Sequence, residues 1–335
     1  MKIPKLLCSS LLLLVCILPY TTFAKPLPVL TIEFEAPAVD RTMKYNIILP
    51  AEYDESKDRY PVLYLLHGLT SNYTHWARMG VPKYAGRFDM IVVMPDGGNS
   101  WYVNWSKTED GQKNAWEDYM INDVIGHVDA NYRTIARREG RAINGLSMGG
   151  YGALMLGLRH PEMFTSIASH SGAIGYAADT RGGIEDPEAR RARNAKRAAR
   201  WGSRPKPTEA QIEAWRLRRI TPDRAIGIAG FSSQIERSPS GSALTTIAEC
   251  DMYDPFKLVL QVPREDLPHI HVDSGTEDFL IGSARDFAQV LRENTIAYSY
   301  AESKGGHRPD YWTREVAHSM AVQYNVIQRS LAELD

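Results

Sequence analysis

Runs of apolar residues bounded by turn residues recur along the chain. Residues 30–34 and 45–49 alternate between apolar and polar side chains, which is typical of half-exposed strands. Residues 61–66 and 90–94 are continuously apolar, and a glycine-containing turn follows each run. Continuous runs of this length indicate strands buried on both faces, as in a parallel sheet covered by helices.

Helical and strand-like patterns alternate further along the chain. Trp116, Met120, Val124 and Val128 recur every four residues, which predicts an amphipathic helix. Another long helix is predicted from Tyr311 onwards. This alternation predicts a doubly wound α/β domain, with a mostly parallel central sheet and helices on both faces. Further short strands are predicted at residues 142–143, 164–168, 269–272 and 297–300.

The first 24 residues differ in character from the rest of the chain. Lys2 and Lys5 precede a mostly apolar run over residues 6–18, and a cleavage-site pattern ends at Ala24. This order is typical of a secretory signal peptide. An anchor helix is the alternative, but the run is shorter than the roughly 20 residues that span a bilayer. We therefore expect a secreted or periplasmic domain over residues 25–335, without stable membrane insertion.

The composition narrows the possible classes of function. With 39 basic and 40 acidic residues the chain is nearly neutral, which disfavours a general nucleic-acid binder. A hydrophobic fraction of 44% excludes a disordered protein. Three cysteines are too few for a disulfide scaffold, and only Cys250 lies outside the predicted signal peptide. We expect Cys250 to be a partly buried thiol without a catalytic role.

One segment interrupts the alternation of strands and helices. Residues 181–224 contain 13 basic and six acidic side chains, while the remainder of the chain is acidic. We interpret residues 176–245 as an insertion that forms a helical lid over the main domain. Within it, four arginines at helical spacing are either a solvated face or a basic stripe that attracts anionic substrates. They are Arg190, Arg193, Arg197 and Arg200.

The strongest chemical signal is the sequence Gly-Leu-Ser-Met-Gly over residues 145–149. A predicted strand precedes it and a helical pattern follows it, which together form the strand–turn–helix of a nucleophile elbow. Glycines two residues before and after Ser147 let the chain turn sharply enough to expose the hydroxyl. The start of the following helix presents free amides and a positive dipole end to a developing anion.

A serine nucleophile needs an adjacent base, and the base needs a group that orients it. In hydrolases with such an elbow, the acid and then the histidine follow the serine along the chain. One later loop contains Asp273, Glu277 and Asp278, and another ends at His307. Their position along the chain does not decide which of the three carboxylates orients the base. His307 fits the order better than His170, which precedes the acid.

Five short motifs together resemble one family. They are His67-Gly68-Leu69, Pro95-Asp96-Gly97, Gly145 to Gly150, Gly275-Thr276-Glu277-Asp278 and Gly306-His307. With them the chain resembles the esterase D family of α/β-hydrolases, which includes S-formylglutathione hydrolases, feruloyl and acetyl-carbohydrate esterases, and mycolyltransferases. The resemblance implies an α/β-hydrolase fold with Ser147 as nucleophile, Asp278 as acid and His307 as base. It also implies an oxyanion hole formed by the backbone amides of Leu69 and Met148.

Aromatic residues in the loops after the early strands are candidate substrate contacts. Trp76, Trp101 and Tyr102 could stack on an aromatic acyl group or a sugar, or they could be the edges of the core. The chain shows no His, Asp or Cys spacing typical of a metal site and no phosphate-binding glycine loop. We therefore expect no metal and no cofactor.

The expected function is that of an exported serine carboxylesterase. Its substrates would be small-molecule or carbohydrate esters with short-chain or aromatic acyl groups, and no nucleic acid would be bound. One alternative is an acyltransferase that uses the same three residues with a sugar or lipid acceptor. The other is a non-catalytic binding protein on a hydrolase scaffold, which is disfavoured because all three residues of the expected triad are present.

Overall fold

A computed structural model describes residues 26–106, 111–192, 195 and 243–334. The predicted signal peptide and most of the predicted insertion over residues 176–245 lie outside this part of the chain. So do Arg193, Arg197 and Arg200 of the predicted basic stripe. Among the residues that the structure describes, no helix combines the length and the apolar character needed to cross a membrane.

A sheet of eight strands forms the centre of the fold. The strands are β1 (Leu30–Ala36), β2 (Arg41–Ile48), β3 (Val62–Leu66), β4 (Ile91–Pro95), β5 (Arg141–Leu146), β6 (Ser166–His170), β7 (His269–Gly275) and β8 (Tyr298–Ser303). Their order in the sheet is β1-β2-β4-β3-β5-β6-β7-β8. The pairs β1–β2 and β2–β4 are antiparallel, and all other neighbours are parallel.

The described helices lie between these strands or after the last of them. They are α1 (His75–Arg78), α2 (Val81–Ala85), α3 (Trp116–Asp118), α4 (Ile125–Asn131), α5 (Met148–Arg159), α6 (Tyr176–Glu185), α7 (Ile247–Met252), α8 (Pro255–Gln261), α9 (Ile281–Glu293) and α10 (Pro309–Ala332). A π-helical turn over Tyr119–Val124 joins α3 to α4. The amphipathic helix predicted over residues 116–128 is therefore present, with its hydrogen-bond register changed in the middle.

Each face of the sheet is covered by a hydrophobic core. In β3, Val62, Tyr64 and Leu66 belong to one core, together with α5. Leu63 and Leu65 point to the other face and belong to the core under α1, α2 and α10. All five side chains are buried, which explains why the sequence of this strand is apolar throughout.

The predicted mostly parallel sheet with helices on both faces is observed. The sixth strand was expected at residues 164–168 but runs from Ser166 to His170. It extends further because Ser169 and His170, although polar, are buried and pair with both β5 and β7. The loops after β5, β7 and β8 leave the same edge of the sheet, since these strands are parallel to one another. That edge carries the candidate site.

Candidate active site

Ser147 occupies a sharp turn between β5, which ends at Leu146, and α5, which begins at Met148. Its backbone angles are φ 54° and ψ −117°, which lie outside the regions that non-glycine residues ordinarily adopt. A residue holds such strained angles only when the surrounding structure fixes them. The turn therefore has the geometry of the nucleophile elbow that the sequence predicts.

Gly145 and Gly149 make the turn possible because the backbone packs against backbone at both positions. A Cβ atom on Gly149 would lie 2.4 Å from the carbonyl oxygen of Leu66, at the end of β3. A Cβ atom on Gly145 would lie 2.2 Å from the carbonyl oxygen of Gly149. Neither backbone group can move aside as a flexible side chain could. The two glycines of the motif are thus required by close approach.

We expect Gly149→Ala to lower the free energy of unfolding by about 2–3 kcal/mol, because the added methyl group pushes the elbow away from β3. It should also lower kcat, since Ser147 moves with the elbow. Gly126→Ala is the matched control: Gly126 lies in α4 with no atom within 4 Å of an added Cβ. That change should be neutral or stabilise by about 0.5–1 kcal/mol. Urea unfolding of both variants measures the difference, and equal effects would contradict this explanation.

His307 connects the nucleophile to a carboxylate. Its Nε2 lies 2.9 Å from Ser147 Oγ, and its Nδ1 lies 3.0 Å from Asp278 Oδ2. An ionised carboxylate only accepts hydrogen bonds, so the Nδ1–H of His307 donates to Asp278. The Nε2 atom is then free to accept the hydroxyl proton of Ser147. The imidazole has the tautomer that a general base requires.

Asp278 is buried, and its surroundings favour the charged form. Burial raises the pKa of this carboxyl group, but hydrogen bonds from His307, the Leu280 amide and Ser171 outweigh it. The net result is a pKa below the ordinary value. The Leu280 amide donates to Asp278 Oδ1 over 2.8 Å and fixes the carboxylate at the start of α9. Asp278 is therefore ionised under the conditions in which His307 acts.

The other candidates from the same loops lie elsewhere. Asp273 is buried beside His170, whose Nδ1 lies 2.6 Å from Asp273 Oδ2. The Nε2 atom of His170 lies 2.8 Å from Ser319 Oγ on α10, so both ring nitrogens face groups other than Ser147. Glu277 is exposed. Of the three carboxylates, the structure places Asp278 against His307.

Asp273 forms a polar cluster beneath the site that sequence reasoning did not identify. Besides His170, it accepts a hydrogen bond from Tyr311 Oη over 2.8 Å and lies 3.3 Å from His271 Nε2. Burial raises the pKa of Asp273, but His170 and His271 outweigh burial and hold it well below the ordinary value. The Ser171 amide donates to the Asp273 carbonyl oxygen. The cluster thereby links β6, β7 and the start of α10.

We expect Asp273→Asn to lower the free energy of unfolding at pH 7 by roughly 3 kcal/mol, because it removes one partner of a buried pair. The folded-state pKa of Asp273 lies below the unfolded value of about 3.9, so its stabilising effect is present above that pH. The effect is lost as the pH falls towards the folded-state pKa. The deficit in urea unfolding should shrink below about pH 4, whereas Asp266→Asn, at an exposed carboxylate, should cost little at any pH. A deficit of constant size across this range would contradict the assignment.

The two residues predicted to form the oxyanion hole belong to segments that meet at the elbow. Met148 is the first residue of α5, and amides in the first turn of a helix lack partners within the helix. Leu69 belongs to the loop after β3, which passes next to the nucleophile: a Cβ atom on the preceding Gly68 would lie 3.3 Å from Ser147 Cβ. The structure thus brings the two residues of the expected oxyanion hole to the elbow from different strands.

Trp76 and Tyr102 do not present a surface to a substrate, contrary to one interpretation of the sequence. They are 1% and 0% exposed. The indole N–H of Trp76 donates to the Leu66 carbonyl over 2.9 Å, and Tyr102 Oη donates to the His67 carbonyl over 3.0 Å. Both residues therefore belong to the core and hold the backbone that leads into the loop of Leu69.

His67 holds the same loop from within. The Gly97 amide donates to His67 Nε2 over 2.9 Å, so the ring proton is on Nδ1, which donates to the Gly68 carbonyl over 2.8 Å. A neutral imidazole thus joins the loops after β3 and β4. This explains in physical terms why a His-Gly pair precedes Leu69.

Trp101 is the predicted aromatic contact that remains partly open. Its backbone φ is 59°, and its ring stacks on Tyr176 with centroids 3.5 Å apart and planes 4° from parallel. Tyr176 begins α6, at the start of the predicted insertion. Two aromatic residues beside His307, Phe279 and Trp312, were missed because nothing local in the sequence distinguishes them from other loop and helix aromatics.

Two further kinds of chemical group in the described part of the chain are a free thiol and possible metal ligands. Cys250 is buried, and burial together with the charges of Glu249 and Asp251 raises its pKa to about 11, which makes it a poor nucleophile. Within residues 26–106, 111–192 and 243–334, no three His, Cys, Asp or Glu side chains are grouped as metal ligands. The chemistry that this site can perform is nucleophilic attack by an activated serine on a carbonyl carbon.

Comparisons with known proteins identify the family of the chain. A family model named Esterase, with the description "Putative esterase", matches residues 36–321. The chain belongs to this esterase family. An esterase of Mycobacterium tuberculosis is 36% identical over 149 residues, which are 44% of this chain and 32% of that protein. The chain therefore spans about a third of the length of that relative.

A second relative is similar over nearly its whole length. An acetyl esterase of Caldicellulosiruptor saccharolyticus is 25% identical over 299 residues, which are 87% of this chain and 96% of that protein. Among solved structures, the fluorophosphonate-binding serine hydrolase F of Staphylococcus aureus matches with a TM-score of 0.65 at 20% identity, covering 90% of this chain and 99% of that one. These findings confirm the α/β-hydrolase fold and the resemblance to the esterase D family.

Proposed function

We propose that this member of the esterase family is an exported serine carboxylesterase with Ser147, His307 and Asp278 as its catalytic residues. The observation that carries the proposal is the hydrogen-bonded chain from Ser147 Oγ through His307 to Asp278, built on a strained elbow. A binding protein would have no need of a strained serine held against a base. Strain of this kind persists where it serves the reaction.

Acylation begins when Ser147 Oγ attacks the ester carbonyl carbon while its proton passes to His307 Nε2. The carbonyl oxygen takes up the electron pair as an oxyanion, which the amides of Leu69 and Met148 stabilise. Asp278 stabilises the imidazolium that forms and keeps its orientation. Collapse of the tetrahedral intermediate expels the alcohol oxygen, which takes its proton from His307 and leaves an acyl group on Ser147.

Deacylation repeats these steps with water. His307 accepts a proton from water as its oxygen attacks the acyl carbon, and the second oxyanion occupies the same two amides. Ser147 then leaves with the proton from His307, and the carboxylic acid is released. The oxyanion amides contribute a large share of the stabilisation of both transition states, because they are in place before charge develops.

The substrate class we propose is esters met outside the cytoplasm, above all acetylated or otherwise short-acylated carbohydrates. The signal-peptide pattern of residues 1–24 supports export. The relative that is similar over nearly its whole length bears the name acetyl esterase, which supports a short acyl chain. Trp101, stacked on Tyr176, is the candidate contact for the substrate among the three aromatics expected from the sequence.

A panel of acetyl, butyryl and feruloyl esters assayed with the purified protein lacking residues 1–24 tests the proposal. We expect release of free acid from at least the acetyl ester. Product analysis with and without a sugar or lipid acceptor separates hydrolysis from acyl transfer: free acid as the main product in both cases supports the esterase. Acylated acceptor as the main product would show that the same residues serve an acyltransferase, and no cleavage of any ester would refute both.

A further inference from the structure

Phe279 is the most exposed of the large apolar side chains that the structure describes, at 75%. It directly follows Asp278, and its ring centroid lies 4.7 Å from that of His307 with the planes inclined by 51°. The ring is therefore not part of the hydrophobic core. It stands in solvent beside the base of the triad.

The backbone around Phe279 is fixed. The Asp278 amide donates to the Gly275 carbonyl, the Leu280 amide donates to the Asp278 carboxylate, and the Ile281 amide donates to the Asp278 carbonyl. These bonds form a tight turn between β7 and α9. Phe279 lies at the middle of that turn, so its ring is presented from a rigid support.

His307 does not need Phe279 to hold its orientation. Its Nδ1 lies within 3.2 Å of both carboxylate oxygens of Asp278. Its ring also meets the buried ring of Trp312, with centroids 4.9 Å apart and planes at 89°. Phe279 adds an exposed apolar surface to an imidazole that other groups already fix.

The reaction determines which part of the substrate meets this surface. In the proposed mechanism His307 Nε2 protonates the oxygen of the departing alcohol, so the alcohol must lie against His307 when it leaves. The carbonyl oxygen faces the amides of Leu69 and Met148 instead. A ring packed beside His307 is therefore on the alcohol side of the ester and not on the acyl side.

We propose that Phe279 is a specificity-determining residue that binds the alcohol portion of the substrate. It would favour an alcohol with a flat apolar face, since aromatic rings pack best on planar partners. An aryl ring and the C–H face of a pyranose both present such a face. This inference rests on the proposed esterase function and extends it by assigning the alcohol subsite.

The test compares three acetates that differ only in the alcohol: ethyl acetate, phenyl acetate and an acetylated methyl xyloside. For each, kcat/KM of Phe279→Ala is divided by the wild-type value, which cancels the different leaving-group reactivities. We expect kcat/KM of Phe279→Ala to be about three- to tenfold lower than that of the wild type for phenyl acetate, for the xyloside or for both. For ethyl acetate the two values should differ by less than about twofold. The two arms show whether the flat face is aryl or pyranose.

Two further variants show whether the effect depends on the flat shape of the Phe279 side chain and on its position beside His307. Phe279→Leu keeps an apolar side chain without a flat face and should lose most of the preference. Leu260→Ala, at another exposed apolar residue on α8, should change no ratio. Replacing the acetyl group with butyryl should leave each Phe279→Ala ratio unchanged, because the acyl chain lies on the other side.

Several results would overturn the inference. Equal losses with all three acetates, or a shift of the pH profile of kcat/KM, would show that Phe279 acts by positioning His307. Unchanged ratios would show that it does not contact the alcohol. In all these cases the wild-type protein still cleaves esters, so the proposed function stands. Failure of the wild type to cleave any ester would instead refute the proposed function and this inference with it.

Discussion

Replacing Ser147 with alanine should lower kcat for ester cleavage by on the order of 10⁶ while the protein remains folded. Among the residues that the structure describes, the hydroxyl of Ser147 is the group that lies against His307 Nε2, at 2.9 Å. Without it, His307 has no nucleophile to activate. The catalytic contributions of His307 and Asp278 are therefore lost along with that of Ser147. The strained turn is retained because the glycines that permit it are unchanged. Initial rates with an acetyl ester measure the loss of activity, and a thermal unfolding curve shows whether the variant is folded.

Ser56→Ala is a matched control for this experiment. Ser56 lies in the loop before β3, where its hydroxyl donates to Asp58 far from the elbow in the sequence. Its rate should stay within about twofold of wild type, as expected for surface substitutions. If the Ser147 variant kept even a tenth of the wild-type rate, another group would have to be the nucleophile. If it failed to fold, its loss of activity would carry no information, and the unfolding curve detects that case.

Asp278→Asn should lower kcat by roughly 10⁴ near neutral pH. The carboxylate accepts the Nδ1–H of His307 and so leaves Nε2 without a proton. An asparagine amide can donate to Nδ1 instead, which favours the tautomer with the proton on Nε2. That tautomer cannot accept the Ser147 proton. Steady-state kinetics across the pH range gives the loss of kcat and its pH dependence.

The neighbouring carboxylate provides the control for the acid. Glu277 is exposed and precedes Asp278 in the same turn, so Glu277→Gln removes one negative charge at nearly the same place. We expect its kcat to stay within about threefold of wild type, because an exposed charge is screened by solvent. A loss as large as that of Asp278→Asn would mean that net charge near the site, and not the orientation of His307, is what the carboxylate supplies.

The elbow could be predicted from the sequence because its determinants are local. Gly145 and Gly149 lie two residues from Ser147, and the strand before them and the helix after them are readable from their periodicity. The choice among the three carboxylates could not be made from the local sequence. Asp273 lies near the end of β7, and Glu277 and Asp278 follow in the turn after it, so only the fold shows that Asp273 faces His170 and Asp278 faces His307. From the residues alone the acid stayed open, and the family resemblance favoured Asp278.

The buried polar groups show where sequence patterns fail for a physical reason. His170 resembles a loop residue in a hydrophobicity pattern, yet it is buried because Asp273 and Ser319 meet its two ring nitrogens. These partners lie far away along the chain, on β7 and α10. The same holds for Trp76 and Tyr102, whose burial depends on carbonyl groups of β3 and the residue after it. Long-range contacts of this kind leave no periodic trace in the sequence.

Labelling with a fluorophosphonate probe tests the assignment of the nucleophile most directly, because the probe reacts with an activated serine and forms a stable bond to its oxygen. Trypsin cleaves after Arg141 and Arg159, and the peptide between them contains Ser147 as its one serine. We predict one probe mass on the wild-type protein, located on this peptide, and none on the Ser147→Ala variant. A label on any other peptide, or an unlabelled protein that nevertheless cleaves esters, would contradict Ser147 as the catalytic nucleophile.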